Sequence, residues 1–257
     1  MANSTSSVGP GKELAGKVAL VTGAGRNIGA ATAQALAQGG AAVAINTRAS
    51  RDDAERVAQE VRTAGGQAEV FMADIADGAA VKSMVDAVMK RFGRVDILVL
   101  NASVRKETPF TEMSFEEWRM IMSISLDGSF HLVKACLPSM LANGGGSIVT
   151  LGGMMALSGA KRRVHGSVAK HGLVGMTRAL ARELAEHNIR VNCVAPGQMD
   201  TQRTSARAPR ADPKSLIPLG RLGDAREIAD TVRFVCGPGA SYITGQTIHV
   251  NGGVMMF

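Results

Sequence analysis

A short apolar run, Lys17-Val-Ala-Leu-Val21, leads into Thr22-Gly23-Ala24-Gly25-Arg26-Asn27-Ile28-Gly29, and an alanine-rich stretch continues from Ile28 to Gln38. Glycine lets backbone approach a pyrophosphate closely, and the N-terminus of a following helix offers free N–H groups and a partial positive charge. A strand, a glycine-rich turn and a helix in that order read as a dinucleotide site, whereas the glycine string alone would mark only a turn. Lys170 and His165 are the other side chains with evident chemistry. Histidine titrates near neutrality and is a plausible proton donor, but His165 is five positions from Lys170 and falls off the lysine face of a helix. A surface or loop histidine is the alternative. His171 is a weaker candidate, and His131, His187 and His249 read as structural or solvated. Cys136, Cys193 and Cys236 are far apart and odd in number, so neither a disulfide framework nor a metal cluster is expected, and a reduced, cytoplasmic setting fits.

The elements that must carry these groups alternate regularly. Strands are expected at 17–21, 42–45, 70–73, 97–100, 147–151, 190–194 and 247–250. Between them lie helices at 28–38, 50–63 with Ser50 as cap, 81–92, a long one opened by a capping box at Ser114-Phe-Glu-Glu117, 168–186, and one capped at Asp224-Ala-Arg-Glu227. Alternation with short connections means an α/β fold, a parallel sheet covered on both faces. At 257 residues one domain spanning 13–257 is favoured, with Met1 to Lys12 a loose tail lacking the apolar core of a signal peptide. The Arg-, Ser- and Pro-rich stretch 198–219 reads as a long substrate loop. No run of 18 apolar residues appears, so no membrane partner is expected. Net charge is +7 but aromatics are 4%, too few for a base-stacking surface, so nucleic acid is not an expected partner.

The glycine-rich turn resembles the Thr-Gly-x-x-x-Gly-x-Gly turn of short-chain dehydrogenases/reductases, and further landmarks follow in order. Asp74-Ile75 resembles the adenine-contacting Asp after the third strand. Asn101-Ala102-Ser103 resembles the end of an Asn-Asn-Ala-Gly motif, Pro196-Gly197 follows the sixth strand, and Tyr242-Ile-Thr-Gly-Gln246 with Val250-Asn-Gly-Gly253 closes the chain. The resemblance covers residues 14 to 257 and is nearest to the 3-oxoacyl-carrier-protein-reductase-like branch. It implies a single doubly wound Rossmann-type domain with a seven-stranded parallel sheet, a nicotinamide cofactor, and a homotetramer. It assigns cofactor contacts to Gly23, Gly25, Arg26, Asn27, Ile28, Gly29, Arg48, Asp74, Ile75, Asn101, Ala102, Lys170, Pro196 and Gly197. Asn27 replaces the middle turn glycine, and asparagine tolerates the left-handed backbone this place needs. The second strand ends in Asn46-Thr47-Arg48 without the carboxylate that would hold a ribose 2′-OH, and Arg26 lies in the turn; two guanidiniums suit the 2′-phosphate of NADP(H).

The catalytic set implied by the resemblance is nearly empty. Lys170 is kept, but the tyrosine position four residues before it is Gly166, the serine position is Gly153 and the asparagine position is Ser125. The upstream tyrosine of 2,4-dienoyl-CoA reductases corresponds to Met155, and their helix Asn to Asp127, a residue able to orient a water or simply to face solvent. Tyr242, the one tyrosine, belongs to the closing motif. The catalytic candidates are therefore Lys170 and His165. Met154 and Met155 could line the pocket or the core, and Ser103 could donate a hydrogen bond. Three functions remain open: an NADP(H)-dependent reductase of a C=N, C=C or activated carbonyl, an NADP-binding protein without turnover, and a lyase or isomerase on the same fold. Basic residues Arg105, Lys106, Lys161, Arg162, Arg163, Arg203, Arg207, Arg210 and Lys214 suggest an anionic substrate or a phosphorylated carrier, with a solvated basic surface as the alternative.

Overall fold

The computed structural model describes residues 11–201 and 212–256; Arg203, Arg207, Arg210, the Lys214 side chain and most of the expected tail lie outside the described residues. Short apolar runs form the strands because both faces of a parallel sheet are covered. They are β1 (Val18–Val21), β2 (Ala42–Thr47), β3 (Ala68–Met72), β4 (Ile97–Leu100), β5 (Gly146–Leu151) and β6 (Ile189–Pro196). A two-residue bridge joins β7 (Met199–Asp200) to β8 (Gly223–Asp224), and β9 (Thr247–Val250) ends the main sheet. The helices are α1 (Asn27–Gln38), α2 (Arg51–Thr63), α3 (Gly78–Phe92), α4 (Phe115–Met122), α5 (Gly128–Ala142), α6 (Met155–Ser158), α7 (Val164–Leu184), α8 (Pro213–Leu216) and α9 (Ala225–Cys236).

The seven strands run in the order β3-β2-β1-β4-β5-β6-β9, all neighbours parallel. Side chains alternate across each strand, so Ala19 and Val21 of β1 join one core and Val18 and Leu20 the other. Leu36, Val57, Ile228 and Val232 of α1, α2 and α9 fill the first core; Val88, Leu132, Met140 and Leu184 of α3, α5 and α7 fill the second. The chain reverses direction across the sheet between β1 and β4, and the turns after these strands part there to leave a crevice.

Several expectations need correction. α7 starts at Val164 rather than 168 and stops at Leu184, followed by a 3-10 turn at Ala185–His187. Its first turn forms although Gly166 is a poor helix former, because His165 and Ala169 are buried beneath it. Ser50 precedes α2 but makes no side-chain capping bond, whereas Asp77 caps α3 and Asp224 with Glu227 closes a full capping box on α9. At Ser114 only half the box exists: its hydroxyl accepts from the Glu117 N–H at 3.2 Å, while the Glu117 carboxylate turns to Lys106 and His165. Between α4 and α5 the helix continues as a π turn at Ser123–Asp127. The span Phe115–Ala142 is long and apolar enough to cross a bilayer, but half of its apolar 18-residue window is buried within the fold, as in a core helix.

Candidate active site

Thr22 follows β1 and is buried, and its hydroxyl accepts from the Asn101 and Ala102 N–H groups, both at 3.1 Å. Asn101 Nδ2 donates to the carbonyls of Thr22 (2.8 Å) and Gly23 (3.1 Å), which clamps the glycine-rich turn to the end of β4. Gly23 has φ +61, and a Cβ there would lie 2.9 Å from Ala102 Cα. Asn27 adopts φ +52, as the reading of a tolerated left-handed position requires. Ile28 is half-buried behind it, and Gly25 lies against Asp53. The turn therefore presents backbone at the mouth of the crevice.

On the rim of the turn, Arg26 Nε lies 3.5 Å from Asp53 Oδ2 and Arg48 Nη1 lies 3.5 Å from Asp74 Oδ2. All four side chains are substantially exposed, so these long pairs hold the guanidiniums only weakly. Asp74 also accepts from the Ala76 N–H, and the next residue, Ile75, is buried. Across the crevice, Pro196 ends β6 and its carbonyl accepts from Met154 N at 3.0 Å, while Gly197 N donates to Val250 O at 2.9 Å. A Cβ on Gly197 would meet Asn251 Cα at 2.6 Å, so glycine is needed for this close approach.

Lys170 projects from α7 to the end of β5, where Nζ donates to Leu151 O at 2.6 Å. Burial lowers its ammonium to about 8 from the ordinary 10.5. The sign for stability follows: between about pH 8 and 10.5 the unfolded chain holds this proton more readily, so the Lys170 contribution rises with pH across that window. The full penalty, on the order of 3 kcal/mol, is present below pH 8. Urea unfolding at pH 7 and pH 10 is expected to show the native chain gaining stability relative to Lys170→Met as pH rises. A difference independent of pH would mean that Lys170 is not buried as described.

Beside Lys170 is a cavity of about 160 Å³, lined in part by Ser103, Ser125, Met155, Arg163, His165 and Gly166. A Cβ at Gly153 or Gly166 would meet nothing within 4 Å, so the positions without side chains are open space. Ser125 is buried in the π turn and lines this cavity, whereas Asp127 is exposed and does not line it. Tyr242 is fully exposed and does not line the cavity, and His171 binds the Ala156 carbonyl outside it.

His165 is not a surface histidine: it is 1% exposed. Its Nδ1 accepts from the Gly166 N–H at 2.6 Å, which leaves Nε2 as the protonated nitrogen of a neutral ring, 3.0 Å from Glu117 Oε1. Both ring nitrogens are thus engaged within the protein. Lys106 above all, with Thr108 and His165, holds the Glu117 carboxyl down at about 2. Glu117 is the site residue that sequence reasoning missed, and its signal, a Glu three residues after Ser114, was absorbed by the capping reading.

Residues 23–255 match the sequence profile of the family described as enoyl-(acyl carrier protein) reductase. A 3-oxoacyl-[acyl-carrier-protein] reductase from Staphylococcus epidermidis is 40% identical over 242 residues, covering 93% of this chain and 99% of that protein. The chain belongs to the short-chain dehydrogenase/reductase family. Its Escherichia coli relative in that family, also a 3-oxoacyl-[acyl-carrier-protein] reductase, is 40% identical over 243 residues, covering 94% and 98% of the two chains. Among solved short-chain dehydrogenase/reductase folds, a blue fluorescent protein from a metagenomic library in complex with NADPH superposes with TM-score 0.89, 35% identity, and coverage of 95% and 100%. An acetoin dehydrogenase from Salmonella typhimurium gives TM-score 0.85, 34% identity, and coverage of 93% and 97%. Family membership makes the chain an oxidoreductase of the short-chain dehydrogenase/reductase type by descent.

Proposed function

We propose that the chain is an NADP(H)-dependent reductase whose pocket works without the tyrosyl and seryl hydroxyls usual in its family. One observation carries this reading: the glycine cradle, the half-buried Lys170 and the open cavity all meet at the C-terminal edge of the sheet. The residues present fit the cofactor. The backbone of Gly23, Gly25, Asn27, Ile28 and Gly29 would take the pyrophosphate. Arg26 and Arg48, drawn from weak pairs with Asp53 and Asp74, would take the 2′-phosphate. Asp74 and Ile75 would border the adenine, Asn101 and Ala102 the crevice floor, Pro196 and Gly197 the nicotinamide, and Lys170 its ribose. The NADPH-bound structural neighbour supports NADP(H) as the cofactor.

When bound, NADPH supplies a hydride to an electrophilic carbon. The chain's own part is to hold that carbon in the cavity, exclude water with Ile121 and Ala169, and keep Lys170 charged at neutral pH. His165 acts as a positioning residue, since its ring ties the start of α7 to Glu117. Loss of a general acid costs about 10²- to 10⁴-fold, whereas holding donor against acceptor is worth about 7–11 kcal/mol. Turnover without the tyrosine is therefore sustainable on substrates needing no strong acid. The open space at Gly153 and Gly166 favours a second reading, NADP binding without turnover, which NADPH consumption over a panel of activated alkenes, imines and carbonyls tests.

Cofactor choice is testable by fluorescence titration. NADPH is expected to bind at least tenfold tighter than NADH, since each guanidinium–phosphate contact is a charge-assisted bond of about 1.5–3 kcal/mol. Arg48→Asp is expected to narrow or reverse that preference. Equal affinities in the unmutated chain would remove the basis for NADP(H).

A further inference from the structure

The cavity beside Gly166 has four cationic side chains on its wall, Arg105, Lys106, Arg163 and Lys170, and no carboxylate among its lining residues. Among the described residues, Glu107 pairs with Arg105 and Arg163 and Glu117 with Lys106, so two carboxylates stand behind a wall of four cations. Arg163 is the most telling of the four. Its side chain is 7% exposed, yet it lines the cavity, 2.9 Å from Glu107 and with Nη1 3.5 Å from Met155 Sδ. A guanidinium taken out of water at a cavity wall strengthens any anion brought to it, because the local dielectric is low. The planar fork matches a carboxylate in particular.

We infer that the substrate is a small organic carboxylate, its anionic group held by Arg163 and Lys106 and its reducible C=C or activated C=O turned toward Lys170. This rests on the reading of the cavity as the substrate site. The same charges disfavour an iminium, the cationic member of the acid-independent substrates, since like charges at short range repel. Reduction adds hydride from NADPH to carbon, the π electrons move to the neighbouring atom as negative charge, and a proton from water completes the product. The cationic wall stabilises that charge as it forms, which is the task the absent hydroxyls do not perform.

Calorimetric titration of the full chain with acetate, pyruvate and succinate, each set against its neutral amide, tests the inference with and without saturating NADP⁺. At least one acid is expected to bind tenfold or more tighter than its amide, and Arg163→Gln is expected to abolish that advantage while NADP⁺ affinity stays unchanged. Should Arg163→Gln fail to fold, Lys106→Gln reads the same wall, with a loss of about threefold expected for an exposed cation. Acids and amides binding alike, no acid binding at all, or an advantage that survives the folded variants each overturns the proposal. Absence of NADP⁺ binding would sink the reductase reading alone, because the acid titrations without cofactor still report on the cavity.

Discussion

Gly153→Ser combined with Gly166→Tyr is expected to raise the reduction of simple ketones by about 10²- to 10⁴-fold, the worth of a placed general acid. The structure leaves room for both, since a Cβ at either position meets no atom within 4 Å. Position 166 is four residues before Lys170 on α7, so the new phenol and the ammonium share one helix face. The Gly166 N–H that His165 accepts is retained by tyrosine, so the first turn of α7 keeps its bond. A serine at 153 would orient the carbonyl that the tyrosine protonates, so the pair should exceed the product of the single changes. The check is kcat/KM with NADPH on short ketones for the chain and all three variants. Rapid ketone turnover by the unmutated chain would point to an acid not recognised here, and a folded double variant with no gain would deny the family geometry at this site.

Gly29→Ala is expected to abolish cofactor binding, with NADPH affinity falling at least about 100-fold and stability by about 2–4 kcal/mol. The added Cβ would press against the Gly23 carbonyl and lie 2.5 Å from Asn101 Nδ2, both parts of the clamp that shapes the turn. The Gly23 carbonyl is backbone and the Asn101 amide is tied by two hydrogen bonds, so the turn itself must move. Gly175→Ala is the control: it lies exposed on α7 with nothing within 4 Å of its Cβ, and is expected to be neutral or to stabilise by up to about 1 kcal/mol. Thermal unfolding with and without NADPH separates the two effects. Full NADPH affinity in Gly29→Ala would show that the turn is not the pyrophosphate site.

The sheet was legible because its strands are apolar runs between turn residues, and Ile97–Leu100 and Thr247–Val250 end where the runs do. The glycine cradle was legible because backbone geometry restricts residue type: glycine at 23, with only asparagine as a substitute at 27. What failed was non-local. The helix expected from 168 lacks the first turn of α7, which is held by burial of His165 against a residue 48 positions away. Glu117 fitted a capping pattern, and nothing local says that Lys106 and His165 compete for it more strongly than the Ser114 backbone does. The two-residue pairing of β7 with β8 is too short to leave a periodic trace. Arg163 reads in sequence as one more basic residue in a run, and only the fold buries it at a cavity wall.

The π turn at Ser123–Asp127 gives this helix one residue more than a regular α-helix of the same length would hold. Deleting a single residue there would therefore shorten the chain without breaking the rod. The widened turn absorbs that extra residue, so the angular phase between its halves would be nearly kept. Leu132 and Met140 would stay against the sheet and Ile121 over the cavity, so a one-residue shortening within the π turn is expected to leave the layer beneath it in place.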